Sequence, residues 1–370
     1  CLIIGIFMSE AQELDQLRQQ IDALDQQIQL LINERAKCAQ QVAEVKYKYA
    51  EPGSLVTFYR PEREAQVLLN VMARNEGPLP NESIARVFRE IMSQCLALEE
   101  PLTIAYLGPH GTFTQQAAVK HFGHAVTCAG QVSIADVFRE VESGSAQYGV
   151  VPVENSTEGV VTHTLDSFYD SNLYICGEVT LRIHHHMLVK SLTDNVQRIY
   201  SHAQSLGQCR LWLDQNFPNV ERIAVSSNAE AARRASSEVG SPAIAGEAAA
   251  ELYELEVRNS NIEDRPDNTT RFLIIGKQET IPSGDDKTSI MVSSRNQPGA
   301  LYNVLAPFHE AGVSLTRIET RPDHSGTWNY LFFIDFEGHK NDQRISPLMQ
   351  RLRDVAVDFK WLGSYPKAVL

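Results

Sequence analysis

The sequence has no Cys-x-x-Cys pair and no apolar run long enough to cross a membrane. Its six cysteines, at 1, 38, 95, 128, 176 and 209, show no metal-ligand spacing. That pattern reads as reduced thiols in a cytoplasmic protein that holds no metal. Basic charge is scarce: 33 Lys and Arg stand against 46 Asp and Glu, a net charge of −13. Such a balance argues against nucleic-acid or anionic-membrane partners. Any anionic substrate then needs a locally basic pocket. There is no low-complexity tract and no internal repeat. The apolar start Cys1–Phe7 is too short for a signal-peptide core with its flanks, so Met8 is a candidate initiator. Proline and glycine are absent from Met8 to Glu51.

That last absence permits one long helix. Leu14, Leu17, Ile21, Leu24, Ile28, Leu31, Ile32, Ala39, Val42 and Val45 recur at steps of three and four, which predicts an amphipathic helix over 10–49. Forty residues span roughly 60 Å, more than one small domain can cover, so a helical homodimer is expected. A loop with Pro52-Gly53 precedes a second helix from Pro61, and Asn81 or Ser83 is expected to cap a third, ending near Glu99. Arg35 and Lys46, eleven apart, share a face. Arg18 lies about 100° round the helix and would reach a different site, that of the partner chain. Any one of these charges alone reads sooner as solvated surface than as a ligand group.

From 102 to 278 strands and helices alternate, which predicts two α/β lobes with mainly parallel sheets and a crevice between them. Two polar stretches sit at strand ends. One is Glu154-Asn155-Ser156-Thr157-Glu158-Gly159, after Val150, Val151 and Val153. The other is Asp267-Asn268-Thr269-Thr270-Arg271, before the apolar run 273–275. Read alone, each is equally a solvated turn. Gly108-Pro109-His110-Gly111-Thr112 opens a helix and is a candidate carboxylate cradle. His184-His185-His186 cannot converge on one ion, because adjacent strand residues point to opposite faces. Residues 279–286 read as a linker. The rest runs βαββαβ, a ferredoxin-like sandwich in which the strand around Tyr330–Phe336 should be interior.

Taken together, the clusters around Thr112, Asn155-Ser156-Thr157, Ser201-His202-Ala203-Gln204 and Asn268-Thr269-Thr270-Arg271-Phe272 resemble prephenate dehydratase. Leu17-Arg18, Asn33-Glu34-Arg35, Lys46 and Arg63-Glu64 resemble the all-helical chorismate mutases. Gly299-Ala300-Leu301-Tyr302 and Glu319-Thr320-Arg321-Pro322 resemble the ligand motifs of ACT regulatory domains. Over residues 14–370 the chain resembles the bifunctional chorismate mutase–prephenate dehydratases.

The resemblance implies a multidomain fold. An all-α mutase would occupy 8–100, a two-lobed α/β dehydratase like a periplasmic binding protein 102–278, and an ACT domain 287–370. It implies an isomerase and a lyase of phenylalanine biosynthesis. Chorismate would rearrange to prephenate, which would lose CO2 and hydroxide to give phenylpyruvate, with no cofactor. In the mutase, Arg18 of the partner chain and Arg35 would hold carboxylates. Lys46 would contact the ether oxygen, Arg63 support the site, and Glu64 hold a substrate hydroxyl. Arg60, Cys95 and Glu99 stand where Asp, Ser and Gln are usual. Glu99 must be protonated to donate to the ether oxygen; otherwise it is a solvated helix end. In the dehydratase, Thr112, Asn155, Ser156, Thr157, Ser201 and Gln204 would line the crevice. Thr270 would meet the leaving hydroxyl, and Arg271 either binds a carboxylate or braces its loop. Gly299, Ala300, Leu301, Glu319, Thr320, Arg321 and Pro322 would bind L-phenylalanine as feedback inhibitor, and deleting 287–370 should then remove inhibition and spare catalysis. Two other readings stay open: a catalytically dead binding protein with a sensor, and a monofunctional dehydratase whose helices only dimerise.

Overall fold

A computed structural model describes residues 9–51, 56–192, 195–322 and 330–370. The expectations for residues 1–7, Met8, the Pro52-Gly53 loop and the first residues of the strand begun at Trp328 lie outside them.

The helical part is α1 (Glu10–Tyr49), α2 (Pro61–Ala73) and α3 (Asn81–Glu99). Ser9 opens α1 with a reciprocal cap: Gln12 N donates to Ser9 Oγ, and Ser9 N donates to Gln12 Oε1 at 3.0 Å. Neither expected residue caps α3. Pro80 is its N-cap, and the Asn81 side chain instead accepts from Asn75 Nδ2 at 2.8 Å. Among described residues, α1 buries one side chain, Ala43. Leu17, Ile21, Leu24 and Ile28 are 53–55 % exposed, so the apolar stripe has no cover among the described residues.

The first lobe contains β1 (Thr103–Leu107), α4 (Phe113–Phe122), β2 (Thr127–Gln131), α5 (Ile134–Ser143), β3 (Tyr148–Asn155), β4 (Gly159–Val160), α6 (Thr162–Asp170) and β5 (Tyr174–Arg182). The second contains β6 (His186–Val189), β7 (Arg198–His202), α7 (Ala203–Gln208), α8 (Arg210–Asn216), β8 (Glu221–Val225), α9 (Asn228–Ser237), β9 (Ala243–Ala245), α10 (Glu247–Leu252) and β10 (Glu256–Asn259). The chain then returns as β11 (Thr269–Gly276). Sheet orders are β2-β1-β3-β11-β5, with β4 beside β3, and β10-β6-β9-β7-β8.

The sheets are mixed rather than mainly parallel. β5 leaves the first lobe and β11 re-enters it through the same hinge, so β11 runs antiparallel to both β3 and β5. Edge strands β2 and β10 escape a sequence reading because Thr-Cys-Ala-Gly-Gln and Glu-Val-Arg-Asn lack apolar alternation. The helical stretch 203–216 is broken at Cys209, where the Asp264 carboxylate accepts from Leu211 N and Trp212 N and caps α8.

The last part is β12 (Asp286–Ser294), α11 (Ala300–Ala311), β13 (Leu315–Pro322), β14 (Tyr330–Glu337), α12 (Ile345–Val355) and β15 (Asp358–Pro366). Its order, β13-β14-β12-β15, is ferredoxin-like with β14 interior. Both faces of β14 are covered, which explains its near-continuous apolar run. Phe332, Ile334 and Phe336 pack with Val304, Phe308 and Leu352 of α11 and α12. Leu331 and Phe333, with Leu362 and Tyr365, join the first-lobe core of Val151, Val153, Phe168 and Leu273. β15 lies on β5 so closely that a Cβ on Gly363 would come within 2.2 Å of the Ile175 carbonyl oxygen. The segment read as a linker is docked too: Thr280 is buried and hydrogen-bonds the Ser364 carbonyl.

Candidate active sites

In the helical part, Lys46 Nζ donates to the carbonyls of Thr57 and Phe58 at 3.3 and 3.1 Å and lies 3.9 Å from Glu99 Oε2. Burial lowers the Lys46 pKa, against the Glu99 charge and with that of Arg60. Burial raises the Glu99 pKa, opposed by Lys46 and Arg35. Arg35, Lys46, Arg60 and Glu99 therefore share one electrostatic neighbourhood. Cys95, one turn before Glu99 on α3, is buried, and Arg63 is exposed on α2. Arg18 precedes Lys46 by 28 residues (46 − 18), about 42 Å along a helix, so it cannot serve the same site within one chain.

Glu64 is not in that neighbourhood. One position round α2 from Arg63, it turns inward with Ala65 and Leu68 and accepts from Arg89 Nε at 3.1 Å. Arg89 Nη1 also donates to the Lys120 carbonyl, and Tyr59 Oη meets His121 Nε2 at 2.9 Å beside it. Burial raises the Glu64 pKa against the Arg89 charge. In this chain Glu64 belongs to the seam between helical part and first lobe.

Between the lobes, β3 and β11 set Asn155 opposite Thr270 in register. Asn155 Nδ2 donates to Thr270 Oγ1 and to Asn268 Oδ1, both at 2.8 Å. Asn155 Oδ1 accepts from Thr157 N, Thr157 Oγ1 and Glu158 N at 3.0, 2.6 and 3.0 Å, an Asx turn that fixes which way the amide points. Accepting from Asn155 leaves the Thr270 proton for an outside acceptor. Ser156 is exposed and joins the two loops, its Oγ accepting from Thr269 N at 2.9 Å.

One residue here escaped the sequence reading. Gln208, at the end of α7, donates through Nε2 to Thr157 Oγ1 and Glu158 Oε1 at 3.2 and 3.3 Å. Its Oε1 faces Asn268 Nδ2 at 3.1 Å and His185 Nε2 at 2.8 Å. It thus ties the second lobe to the 155–158 turn of the first. The available signal was its place four residues after Gln204, one helical turn on.

Several expected contacts fall elsewhere. Ser201 is fully buried and donates to the Ile244 carbonyl at 2.7 Å, so its hydroxyl is spent behind the cleft. Gln204 is exposed on α7. Thr112 caps α4, donating to the Leu107 carbonyl at 3.2 Å, and the Gly111 N–H of the expected cradle is taken by Gln115 Oε1 at 2.6 Å. Arg271 is buried and turned from the cleft. Its Nε, Nη1 and Nη2 meet Glu178, Asp335 and Tyr365 Oη at 2.8, 2.7 and 3.0 Å. Of its two open roles, these contacts are those of a brace. The three histidines diverge: His184 pairs with Glu263 at 2.8 Å, His185 with Gln208, and His186 accepts from Asn261 N. No group of three or more His, Cys, Asp or Glu among the described residues could hold a metal ion.

In the last part, Gly299, Ala300, Leu301 and Thr320 line a hollow of about 330 Å³ with Tyr302, Tyr330 and Phe332. Gly299, at φ +83°, opens α11, whose first N–H groups face outward there. The second motif is divided by strand alternation. Thr320 and Pro322 are exposed, whereas Glu319 and Arg321 turn toward the first lobe, Arg321 Nη2 lying 3.0 Å from both Asp166 oxygens. Glu319 and Arg321 therefore do not line the hollow.

Helices with a Lys–Glu centre, a two-lobed α/β unit with an amide–hydroxyl pair at its cleft, and a ferredoxin-like sandwich define a multidomain enzyme with an attached sensor. Family models match in the same order: "Chorismate mutase type II" over 17–100, "Prephenate dehydratase" over 104–280 and "ACT domain" over 288–354. The bifunctional chorismate mutase/prephenate dehydratase of Pseudomonas aeruginosa is 60% identical over 365 residues, 98% of this chain and all of that protein. That of Escherichia coli K12 is 28% identical, covering 95% of each. Among solved structures, prephenate dehydratase from Arthrobacter aurescens in complex with L-Phe has a TM-score of 0.66 at 33% identity, covering 72% of this chain and 90% of its own. The chain belongs to the bifunctional chorismate mutase/prephenate dehydratase family. No helix among the described residues is long and apolar enough to cross a membrane.

Proposed function

We propose that the chain converts chorismate to prephenate in its helical part and prephenate to phenylpyruvate between its two lobes, with L-phenylalanine as inhibitor. The observation that carries the second step is the Asn155 Nδ2–Thr270 Oγ1 contact of 2.8 Å, flanked by Thr157, Asn268 and Gln208. Prephenate loses its ring carboxylate as CO2, the C–C bonding pair enters the ring, and the C–O bond breaks with hydroxide leaving. Aromatisation drives this, so the site must orient the ring and donate to the departing oxygen. Thr270 supplies that donor, and Asn155 fixes its lone pairs so that the proton points outward. A hydroxyl is a weak acid, so the donor acts by orientation in a hydrogen-bond chain. Neutral donors suit the step because the departing carboxylate must shed its charge.

For the first step, Lys46 and a protonated Glu99 would donate to the ether oxygen of chorismate, a rearrangement without covalent intermediate. Arg35 lies in the same neighbourhood. Arg18 would come from a second copy. The uncovered stripe of α1 supports a homodimer through that helix, in which two copies exchange their N-terminal halves. The hollow at Gly299, Ala300, Leu301 and Thr320 would take L-phenylalanine, its carboxylate at the α11 N-terminus and its ring against Tyr330 or Phe332. Reduced cysteines fit a cytoplasmic enzyme.

The test is to supply chorismate and then prephenate and to follow phenylpyruvate, with Thr270→Ala beside the unaltered chain. Dehydratase kcat should fall by about a thousandfold, the scale of losing one transition-state donor, with mutase activity intact. An active Thr270→Ala removes Thr270 from the mechanism. Absence of both activities leaves the catalytically dead binding protein.

A further inference from the structure

The two strands that carry Asn155 and Thr270 share a core with the sensor domain, and ion pairs join their cleft ends to it. On β11, Leu273 and Ile275 pack with the core that includes the ACT sheet, and alternation puts Arg271 on that same side and Thr270 on the other. On β3, Val151 and Val153 belong to the same mixed core, in which α5 and α6 pack on that strand. Simple alternation from Val153 would then turn Glu154 toward the cleft and Asn155 away from it. The register shift between Arg271 and Phe272, where the β3 partners step from Glu154 to Pro152, inserts an extra residue at Val153. A bulge of this kind re-aims the side chains that follow. It points Glu154 at the sensor and Asn155 at Thr270.

Glu154 meets ACT-domain charge there. Arg317 Nε of β13 lies 2.8 Å from Glu154 Oε2, and Arg271 Nη1 lies 3.7 Å from Glu154 Oε1. Arg271 is held in turn by Asp335 of β14, and Glu178 by Lys287 of β12. The cluster balances: Arg271, Arg317 and Lys287 against Glu154, Glu178 and Asp335. Arg317 is about as buried as Arg271, at 10 % side-chain exposure for each, while Glu154 is 36 % exposed. Arg317 is thus the fixed partner of the pair and Glu154 the one whose position depends on it.

We propose that Arg317 is a positioning residue for the dehydration step, acting from the sensor domain through Glu154 to hold Asn155 against Thr270. Without it, Glu154 keeps only the longer 3.7 Å contact with Arg271, and the bulged end of β3 loses its closest anchor. Thr320 of the ligand hollow lies three residues along the same strand, so a ligand there would act on the catalytic pair through β13. The inference rests on the assignment of Asn155 and Thr270 to dehydration.

The experiment uses the full chain, with mutase activity as internal control. Arg317→Met should lower dehydratase kcat by about tenfold, with KM changed by less than about twofold and the mutase unaffected. Arg317→Lys, which restores the charge, should recover most of the loss. In a Glu154→Gln background, Arg317→Met should cost less than about twofold more, because the two side chains act as one pair. A purely structural role would give additive losses and no rescue by lysine. Unimpaired kcat in Arg317→Met, or full additivity in the double variant, overturns the proposal. If Arg317→Met unfolds, Arg317→Gln is read by the same criteria. An inactive Thr270→Ala beside a fully active Arg317→Met sinks this inference alone, whereas an active Thr270→Ala sinks the site assignment beneath it.

Discussion

Replacing Arg271 by methionine separates a brace from a substrate ligand. The arginine side chain is 10 % exposed, and its partners Glu178 and Asp335 are 4 % and 8 % exposed. Removing one member of a buried ion pair costs about 3–5 kcal/mol, because the other charge stays buried without compensation. Two features set the expectation at the lower end. Glu178 keeps Lys287 Nζ at 2.8 and 3.0 Å. Asp335 keeps the Ser289 hydroxyl at 2.6 Å but loses its cation. About 3 kcal/mol, at roughly 2–4 °C per kcal/mol for a unit of this size, lowers the melting temperature by about 6–12 °C. Differential scanning calorimetry measures the shift on the transition of the joined dehydratase and sensor domains. Arg271→Lys should recover only part of it, since an ammonium cannot reproduce three divergent contacts. A melting temperature within about 1 °C of the parent, joined to a large rise in the KM for prephenate, would refute the brace and return Arg271 to the substrate. The same packing revises the deletion of 287–370. Met291, Leu331, Phe333, Leu362 and Tyr365 complete the first-lobe core, so truncation should expose that core and destabilise the dehydratase as well as remove inhibition.

Two further outcomes follow from the helical part. Burial raises the Glu99 pKa against Lys46 and Arg35; the donating, protonated form exists below that pKa and is lost above it, so mutase kcat should fall as pH rises through it. Glu99→Gln donates at every pH and should flatten the profile; a profile that keeps its slope in the variant rules Glu99 out as the titrating group. Leu24 and Ile28 are 55 % and 53 % exposed on α1, and Leu24→Glu with Ile28→Glu would place like charges in a helical dimer contact. Light scattering should then report the mass of one chain, with mutase activity lost, whereas an undisturbed oligomer would move the contact off this stripe.

Much of the architecture was legible because periodicity and punctuation are local. The unbroken three-four spacing before Glu51 gives α1, and the double-sided apolar run of 330–336 gives an interior strand. Edge strands β2 and β10 were not legible, since an edge needs no alternating apolar face. The break of α7 from α8 was hidden as well, because its cause is Asp264, more than fifty residues away in sequence. Among the polar clusters, contacts alone showed that Thr270 meets Asn155 while Ser201 is turned to the Ile244 carbonyl, since both are hydroxyls at strand ends.

By itself the sequence marked which stretches are candidates for chemistry: the basic residues of α1 and the turns at 154–159 and 267–271, together with the two sensor motifs. Only the tertiary structure decided which way neighbouring side chains point. It turned Glu64 from Arg63, Arg271 from Thr270, and Arg321 from Thr320. An unmarked extra residue at Val153 turned Glu154 from Asn155. A composition or a motif records that polar groups are adjacent. Which of them meets substrate and which meets a neighbouring domain depends on strand phase and on the surface packed behind it, and both are set by contacts distant in the chain.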